Sequence, residues 1–175
     1  WDILPTEVAV QEDVALEKIN ILLEDAVNIR VQLDTKIASI LSGGIDSSLM
    51  SVIGQKYLSY LLDCYTLKKK GYDDEDIISA SRISKEKEWK HHQVEVRPED
   101  LSIKNASYIT KAMEEPILDQ VYIYINRNYE EAHKDGFKAV LNGQGADEIF
   151  LGYLDYYPFL RNQKNYDSYK SFRDF

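Results

Sequence analysis

The sequence predicts an α/β fold, a parallel sheet with helices on both faces, and three observations predict it. Short apolar runs of strand length alternate with longer segments of helical periodicity. Each intervening helical segment is long enough to carry the chain back across a sheet, as a parallel arrangement requires. Two glycine-rich turns, at 42–44 and 142–145, directly follow strand-like runs. In such sheets ligands bind at the carboxyl ends of the strands, so turns far apart in sequence can share one site.

Residues 12–33 read as a helix, with Leu16, Ile19, Leu23, Ala26 and Val27 at helical spacing. Lys36–Leu41 reads as a short buried strand that stops at Ser42-Gly43-Gly44. A second helix is expected from about Asp46, with Leu49, Val52 and Ile53 on one face. The next strand falls at Leu62–Leu67, a charged amphipathic helix at Asp73–Trp89, and a third strand at His92–Val96, closed by Arg97-Pro98. Ile103–Met113 and Asp119–Lys134 read as helices separated by Pro116, which disfavours helix at the residue before it. Phe137–Leu141 is the fourth strand, and a last helix is expected near Ala146.

Composition narrows the function. A chain of 175 residues suits one domain, read here as 1–175, and buries roughly 70% of its unfolded surface. The formal net charge of −9 argues against nucleic acid as a main partner, because phosphate backbones demand clustered Lys and Arg. Lys68-Lys69-Lys70 is the only basic run, read as a solvated strand exit. No apolar run is long enough to span a bilayer. The single cysteine, Cys64, excludes an internal disulfide and suits a reducing compartment such as the cytoplasm. The chain begins at Trp1 without a signal-like segment. Its end is rich in aromatics (Tyr153, Tyr156, Tyr157, Phe159, Tyr166, Tyr169, Phe172, Phe175), which predicts packing against something rather than a solvated tail.

The chemistry concentrates in the two turns. In Ser42-Gly43-Gly44-Ile45-Asp46-Ser47-Ser48, adjacent glycines expose backbone N–H groups, serines add hydroxyls, and a helix N-terminus points at the same place. That is an anion cradle, and phosphate is its natural occupant. No Gly-Lys-Ser/Thr follows, so it is not a Walker loop. Asp46 would repel a phosphate unless a cation lay between them. Mg²⁺ commonly takes one or two carboxylates plus phosphate oxygens, and Asp147 in the second turn is the natural second carboxylate. The competing reading of each turn is a plain strand-to-helix connection with Gly, Ser and Asp as turn and cap residues.

The first string resembles the pyrophosphatase loop of the N-type ATP pyrophosphatases (the PP-loop superfamily), shared by argininosuccinate, GMP and NAD synthetases. The string from Asn142 to Tyr153, Asn-Gly-Gln-Gly-Ala-Asp-Glu-Ile-Phe-Leu-Gly-Tyr, resembles the second signature of the asparagine-synthetase branch, glutamine-hydrolysing, in its C-terminal synthetase domain. Glu114-Glu115-Pro116-Ile117 is similar to that branch's acidic segment. The resemblance runs from Trp1 to about Tyr157 and implies an adenine-nucleotide alpha-hydrolase-like fold with ATP and Mg²⁺ as cofactors. It implies that Ser42, Gly43, Gly44, Asp46 and Ser47 hold the departing pyrophosphate. It implies that Asp46 and Asp147 ligate Mg²⁺, and that Leu41, Leu67, Asn142 and Gly143 contact the adenosine. Glu114 and Glu115 would lie on the substrate side.

The resemblance further implies adenylation of a carboxylate, L-aspartate in the asparagine synthetases, then amide formation with glutamine-derived ammonia. Gln144 occupies a position where those enzymes have Glu and the β-lactam-forming relatives have Tyr. Gln donates a hydrogen bond but transfers no proton. Asn142 stands where the family has Ser. The family's glutaminase domain would lie upstream of Trp1, and its C-terminal loop lysine beyond Phe175. A related amidotransferase or cyclase with a different acceptor, and a non-catalytic nucleotide-binding module, are the alternatives. A small-molecule substrate is expected, and the oligomeric state is left open, a homodimer among the options. His91-His92 reads as structural, and Asp73-Asp74-Glu75-Asp76 as a helix start with acids near the dipole.

Overall fold

The computed structural model describes residues 11–71, 73–116, 119–150 and 152. The aromatic-rich segment from Tyr153, the residues around Trp1, and Ile117 lie outside them. Ten elements of regular α and β structure run in the order α1 (Glu12–Val31), β1 (Ile37–Ile40), α2 (Ile45–Lys56), β2 (Asp63–Lys69), α3 (Glu75–Glu86), β3 (Lys90–Val96), α4 (Ile103–Met113), α5 (Val121–Lys134), β4 (Ala139–Leu141) and α6 (Ala146–Phe150) among the described residues. A 3₁₀ turn at Pro98–Asp100, which the sequence reading did not anticipate, follows β3.

The four strands form one sheet in the order β3-β2-β1-β4, every pair parallel. The chain builds outward from β1 to β3, then returns to place β4 on the other side of β1. That reversal makes the β1/β4 boundary a topological switch point. Strand alternation sends successive residues to opposite faces. On one face Val27, Val31, Ile37, Ile53 and Leu141 join α1 and α2 to the sheet, and Leu41, Leu62, Cys64, Ala80 and Trp89 seat α3. On the other face Ala38, Tyr65, Val94 and Ala132 seat α5.

α2 docks through small residues. Ser47, Ser51 and Gly54 are buried along one stripe. Ser39 Oγ meets Ser51 Oγ at 2.6 Å, and Ser51 Oγ donates to the Ser47 carbonyl at 2.7 Å. A Cβ on Gly54 would stand 2.8 Å from Leu141 Cδ2. The expected apolar face over Leu49, Val52 and Ile53 is only partly used, since Leu49 is exposed. The same holds for α1. Its C-terminal half packs through Leu23, Val27 and Val31, whereas Leu16 is 60% exposed.

The acidic run is a helix start: the Asp74 carboxylate caps α3 by accepting from the Ile77 amide at 3.2 Å. β3 begins at Lys90, two residues before the expected start, because the Lys90 amide donates to the Leu62 carbonyl at 3.0 Å and opens the ladder with β2. His91 and His92 therefore lie within the strand rather than ahead of it.

Candidate nucleotide-binding site

The register fixes where the two glycine turns leave the sheet. Ser39 pairs with Leu141, so Leu41-Ser42 and Asn142-Gly143 emerge side by side at the carboxyl end. Gly143 lies against the start of α2: a Cβ there would stand 2.7 Å from the Ser47 amide nitrogen and 2.9 Å from the Asp46 carbonyl carbon. The two turns are thus in contact, although about a hundred residues of chain separate them.

They enclose a cavity of about 340 Å³. Ser42, Gly44, Asp46, Ser47, Gln144 and Asp147 line one part of it, and Leu41, Leu67, Asn142 and Gly143 also face it. Gly43 does not line the cavity. Its φ of +84° turns the loop, and it fits so closely under α3 that a Cβ would strike the Asp76 carbonyl oxygen. Only glycine combines that backbone with that approach.

The loop holds itself together in this state. Ser42 Oγ and Ser47 Oγ lie 2.8 Å apart, and the Ser42 amide donates to Ser47 Oγ at 3.1 Å. Gly44 caps α2 without any side-chain bond, which leaves the first-turn amides of this twelve-residue helix without a side-chain acceptor. In the second turn, the Gln144 amide donates to Asn142 Oδ1 at 3.2 Å, and Asn142 Nδ2 donates to Tyr129 Oη at 3.4 Å. Gly152 lies directly against the Asp147 carboxylate, with no room for a side chain between them.

Behind Leu41 lies a polar chain. Thr66 Oγ1 donates to the Leu41 carbonyl at 2.5 Å, so its own proton is committed. His91 Nε2, 2.9 Å away, must then be the donor to Thr66 Oγ1, which assigns the His91 tautomer. Burial, and secondarily the neighbouring His92, hold the His91 pKa below its ordinary value. His91 on β3 is thus tied to Thr66 on β2.

Several lining residues escaped the sequence reading: Thr66 and, from α5, Val121, Ile125, Asn128 and Tyr129, whereas Asp76, singled out there within the acidic run at the start of α3, also lines the cavity. The spacing of Val121, Ile125 and Asn128 marks one helical stripe, a signal that was present but is indistinguishable from an ordinary core face. Glu114 and Glu115 are exposed and do not line the cavity. Glu114 ends α4 in the left-handed conformation, with φ of +58°. Lys68 and Lys69 are paired with Asp73 at 2.8 Å and Asp74 at 3.7 Å, and neither lysine lines the cavity.

A parallel α/β sheet carrying a serine–glycine loop and an acidic second turn at its switch point defines the PP-loop class of fold. The chain belongs to the asparagine synthase family, whose profile matches residues 18–173. It is 35% identical over 141 residues to a putative glutamine-hydrolysing asparagine synthetase of Methanocaldococcus jannaschii, covering 79% of this chain and 25% of that protein. It is 28% identical over 152 residues to the glutamine-hydrolysing asparagine synthetase 1 of Bacillus subtilis, covering 85% of this chain and 23% of that protein. The chain therefore spans about a quarter of the length of these curated relatives.

Among solved structures, the fold resembles a glutamine-dependent NAD⁺ synthetase of Acinetobacter baumannii in complex with ADP. The TM-score there is 0.53 at 15% identity, over 86% of this chain and 29% of that one. An NH3-dependent NAD synthetase of Campylobacter jejuni matches with a TM-score of 0.50 at 16% identity, over 78% of this chain and 60% of that one. At such identity the likeness is one of fold. Among the described residues no helix is long and apolar enough to cross a membrane.

Proposed function

We propose that this chain is the ATP-binding part of an amide-forming ligase that activates a carboxylate as its adenylate. The observation that carries the reading is the convergence of both glycine turns, with Asp46 and Asp147, on one cavity at the switch point. A carboxylate oxygen of the substrate attacks the α-phosphorus of ATP. The bond from that phosphorus to the bridging oxygen breaks, and pyrophosphate leaves. Ammonia then attacks the acyl carbon and AMP departs. Family membership favours L-aspartate as the carboxylate and glutamine as the ammonia source, through a glutaminase domain of the parent protein.

The residues suit the parts of this reaction unequally. Ser42, Ser47 and the uncapped amides at the start of α2 are donors for a polyphosphate. Asp46 and Asp147 supply hard oxygen ligands, which suit Mg²⁺ better than a softer ion, and they would hold it. When bound, that ion would neutralise charge on the pyrophosphate leaving group. Leu41 and Leu67 offer apolar surface for a base, and Asn142 and Gly143 offer main-chain contacts beside it. The family context further favours a cytoplasmic enzyme. Gln144, on the cavity wall, favours one alternative within the class. Because Gln cannot shuttle a proton, a related amidotransferase or cyclase with a different acceptor is the second reading.

The test is substitution of Asp46 and Asp147 by Asn in the full-length protein. Pyrophosphate release from Mg-ATP should fall by at least about a hundredfold in each variant, since each removes a charge from the leaving-group end. Unchanged pyrophosphate release in Asp46→Asn would refute the assignment.

A further inference from the structure

Two buried serines meet where α2 packs on β1. Ser39 on β1 and Ser51 on α2 are both closed to solvent, and their hydroxyl oxygens lie 2.6 Å apart. Ser51 Oγ also donates to the Ser47 carbonyl at 2.7 Å, whereas Ser39 Oγ lies 3.3 Å from the Leu141 carbonyl. Each hydroxyl has one proton to give. The shorter bonds assign both: Ser39 donates to Ser51, Ser51 donates to Ser47, and the Leu141 carbonyl is a weaker second acceptor.

Each end of this chain of bonds leads to the site. Ser47 lines the cavity, and its hydroxyl accepts from the Ser42 amide at 3.1 Å. Ser39 pairs in the sheet with Leu141, the residue before Asn142-Gly143, which line the same cavity. The bond between the serines therefore joins the helix that carries Asp46 and Ser47 to the strand pair that carries the second turn.

Neither hydroxyl is needed for packing or for its own satisfaction. Position 39 lies between Ile37 and Leu41 on an apolar face, where a β-branched apolar side chain is the usual choice. Ser51 is already satisfied within its own helix through the Ser47 carbonyl. An apolar contact tolerates a slide along a helix axis, because dispersion is shallow and has no direction. A 2.6 Å bond between hydroxyls weakens steeply as its geometry changes, so it selects one setting of α2 against β1. Asp46 and Ser47 pack directly against Gly143, and a slide of α2 would shift both past it.

We propose that Ser39 and Ser51 are positioning residues whose mutual bond sets the start of α2 against the second turn, and so aims Asp46 and the α2 amides at the pyrophosphate. The inference rests on the nucleotide reading above. Neither serine lines the cavity; the pair acts through Ser47 and Asp46.

The experiment measures dissociation constants of Mg-ATP, Mg-pyrophosphate and AMP by calorimetry, with thermal unfolding, for the full-length protein and its Ser39→Ala, Ser51→Ala and doubly substituted variants. Each single change leaves the other hydroxyl an acceptor, the Ser47 carbonyl for Ser51 and the Leu141 carbonyl for Ser39, so the fold should persist. Mg-ATP and Mg-pyrophosphate should weaken by about fivefold or more in each variant, as misalignment of a charge-assisted hydrogen bond gives. AMP, which lacks the pyrophosphate, should bind as in the wild type. The double variant should bind no more weakly than either single one, because one shared bond is lost in all three. Unchanged Mg-pyrophosphate affinity in both single variants overturns the proposal, as does a double variant whose loss is the product of the two. Equal weakening of all three ligands together with a fall in melting temperature shows a purely structural role and also overturns it. If one alanine variant does not fold, the other decides alone; if neither folds, the pair serves the fold itself and the proposal fails. A wild type that binds neither Mg-ATP nor Mg-pyrophosphate overturns the nucleotide reading, and this inference with it.

Discussion

Gly143→Ala adds one methyl group where the two turns touch. The new Cβ would stand 2.7 Å from the Ser47 amide nitrogen, 2.9 Å from the Asp46 carbonyl carbon and 3.0 Å from Asp46 Cβ. None of these is the free end of a flexible side chain, so none can swing away. Restoring ordinary contact at about 3.5 Å requires the second turn and the start of α2 to part by about 0.8 Å. Forced overpacking of this kind costs about 1–3 kcal/mol, or a fall of roughly 2–12 °C in melting temperature for a domain of this size. Function should suffer more than stability. Separating Asp46 from Asp147 by most of an ångström is a misplacement on the scale that costs about a hundredfold in rate. Gly145→Ala is the internal control. Its φ of +95° disfavours alanine, but a Cβ there meets nothing within 4 Å. It should cost stability through backbone strain while moving the two carboxylates far less. The assay is pyrophosphate release with thermal unfolding of both variants. A Gly143→Ala protein with wild-type pyrophosphate release would refute the claim that the two turns work as one site.

Gly54→Ala should lower the melting temperature, although the same change in an exposed helix raises stability by about 1 kcal/mol. The reason is the 2.8 Å approach of the new Cβ to Leu141 Cδ2. A rise on thermal unfolding would contradict the docking of α2 on β4. Cys64 is fully buried, and burial pushes its thiol up to about 12. It should therefore ignore a thiol reagent in the native protein and react only after denaturation; rapid labelling of the folded chain would count against that placement. His91 carries a pH prediction. Its native pKa lies below the ordinary 6.5, so the unfolded chain takes up a proton before the native protein does. Stability from this group is complete above about pH 6.5 and is lost as the pH falls toward the lowered native value. His91→Gln should flatten that part of the stability–pH curve measured by urea titration, and an unchanged slope would show that His91 titrates normally.

Much of this was legible in the sequence because the local signals agreed with the fold. Ile103–Met113 matches α4 in full, since Ser102 caps it and the segment around Pro116 follows its end. The edges that shifted did so for reasons of tertiary pairing. β3 opens at Lys90 in a polar stretch that looks unlike a strand, because the β2 backbone beside it supplies the partner. β4 starts at Ala139, two residues later than expected, because the Phe137 amide is spent closing α5 on the Ala132 carbonyl at 3.0 Å. The part of the cavity built by the two glycine turns was readable from their motifs, since glycine, serine and aspartate stand out there. The wall supplied by α5 was not. Val121 and Ile125 look like any core stripe, and the buried amide of Asn128 reveals its unpaired oxygen only once its surroundings are known.

The most direct test is to incubate the full-length protein with Mg-ATP, with and without L-aspartate, and identify the nucleotide and phosphate products. The proposed chemistry predicts AMP and pyrophosphate in equal amounts, formed only when the carboxylate is present. ADP and inorganic phosphate in their place would contradict it, because the bond broken would then lie at the γ-phosphate and not at the α-phosphorus.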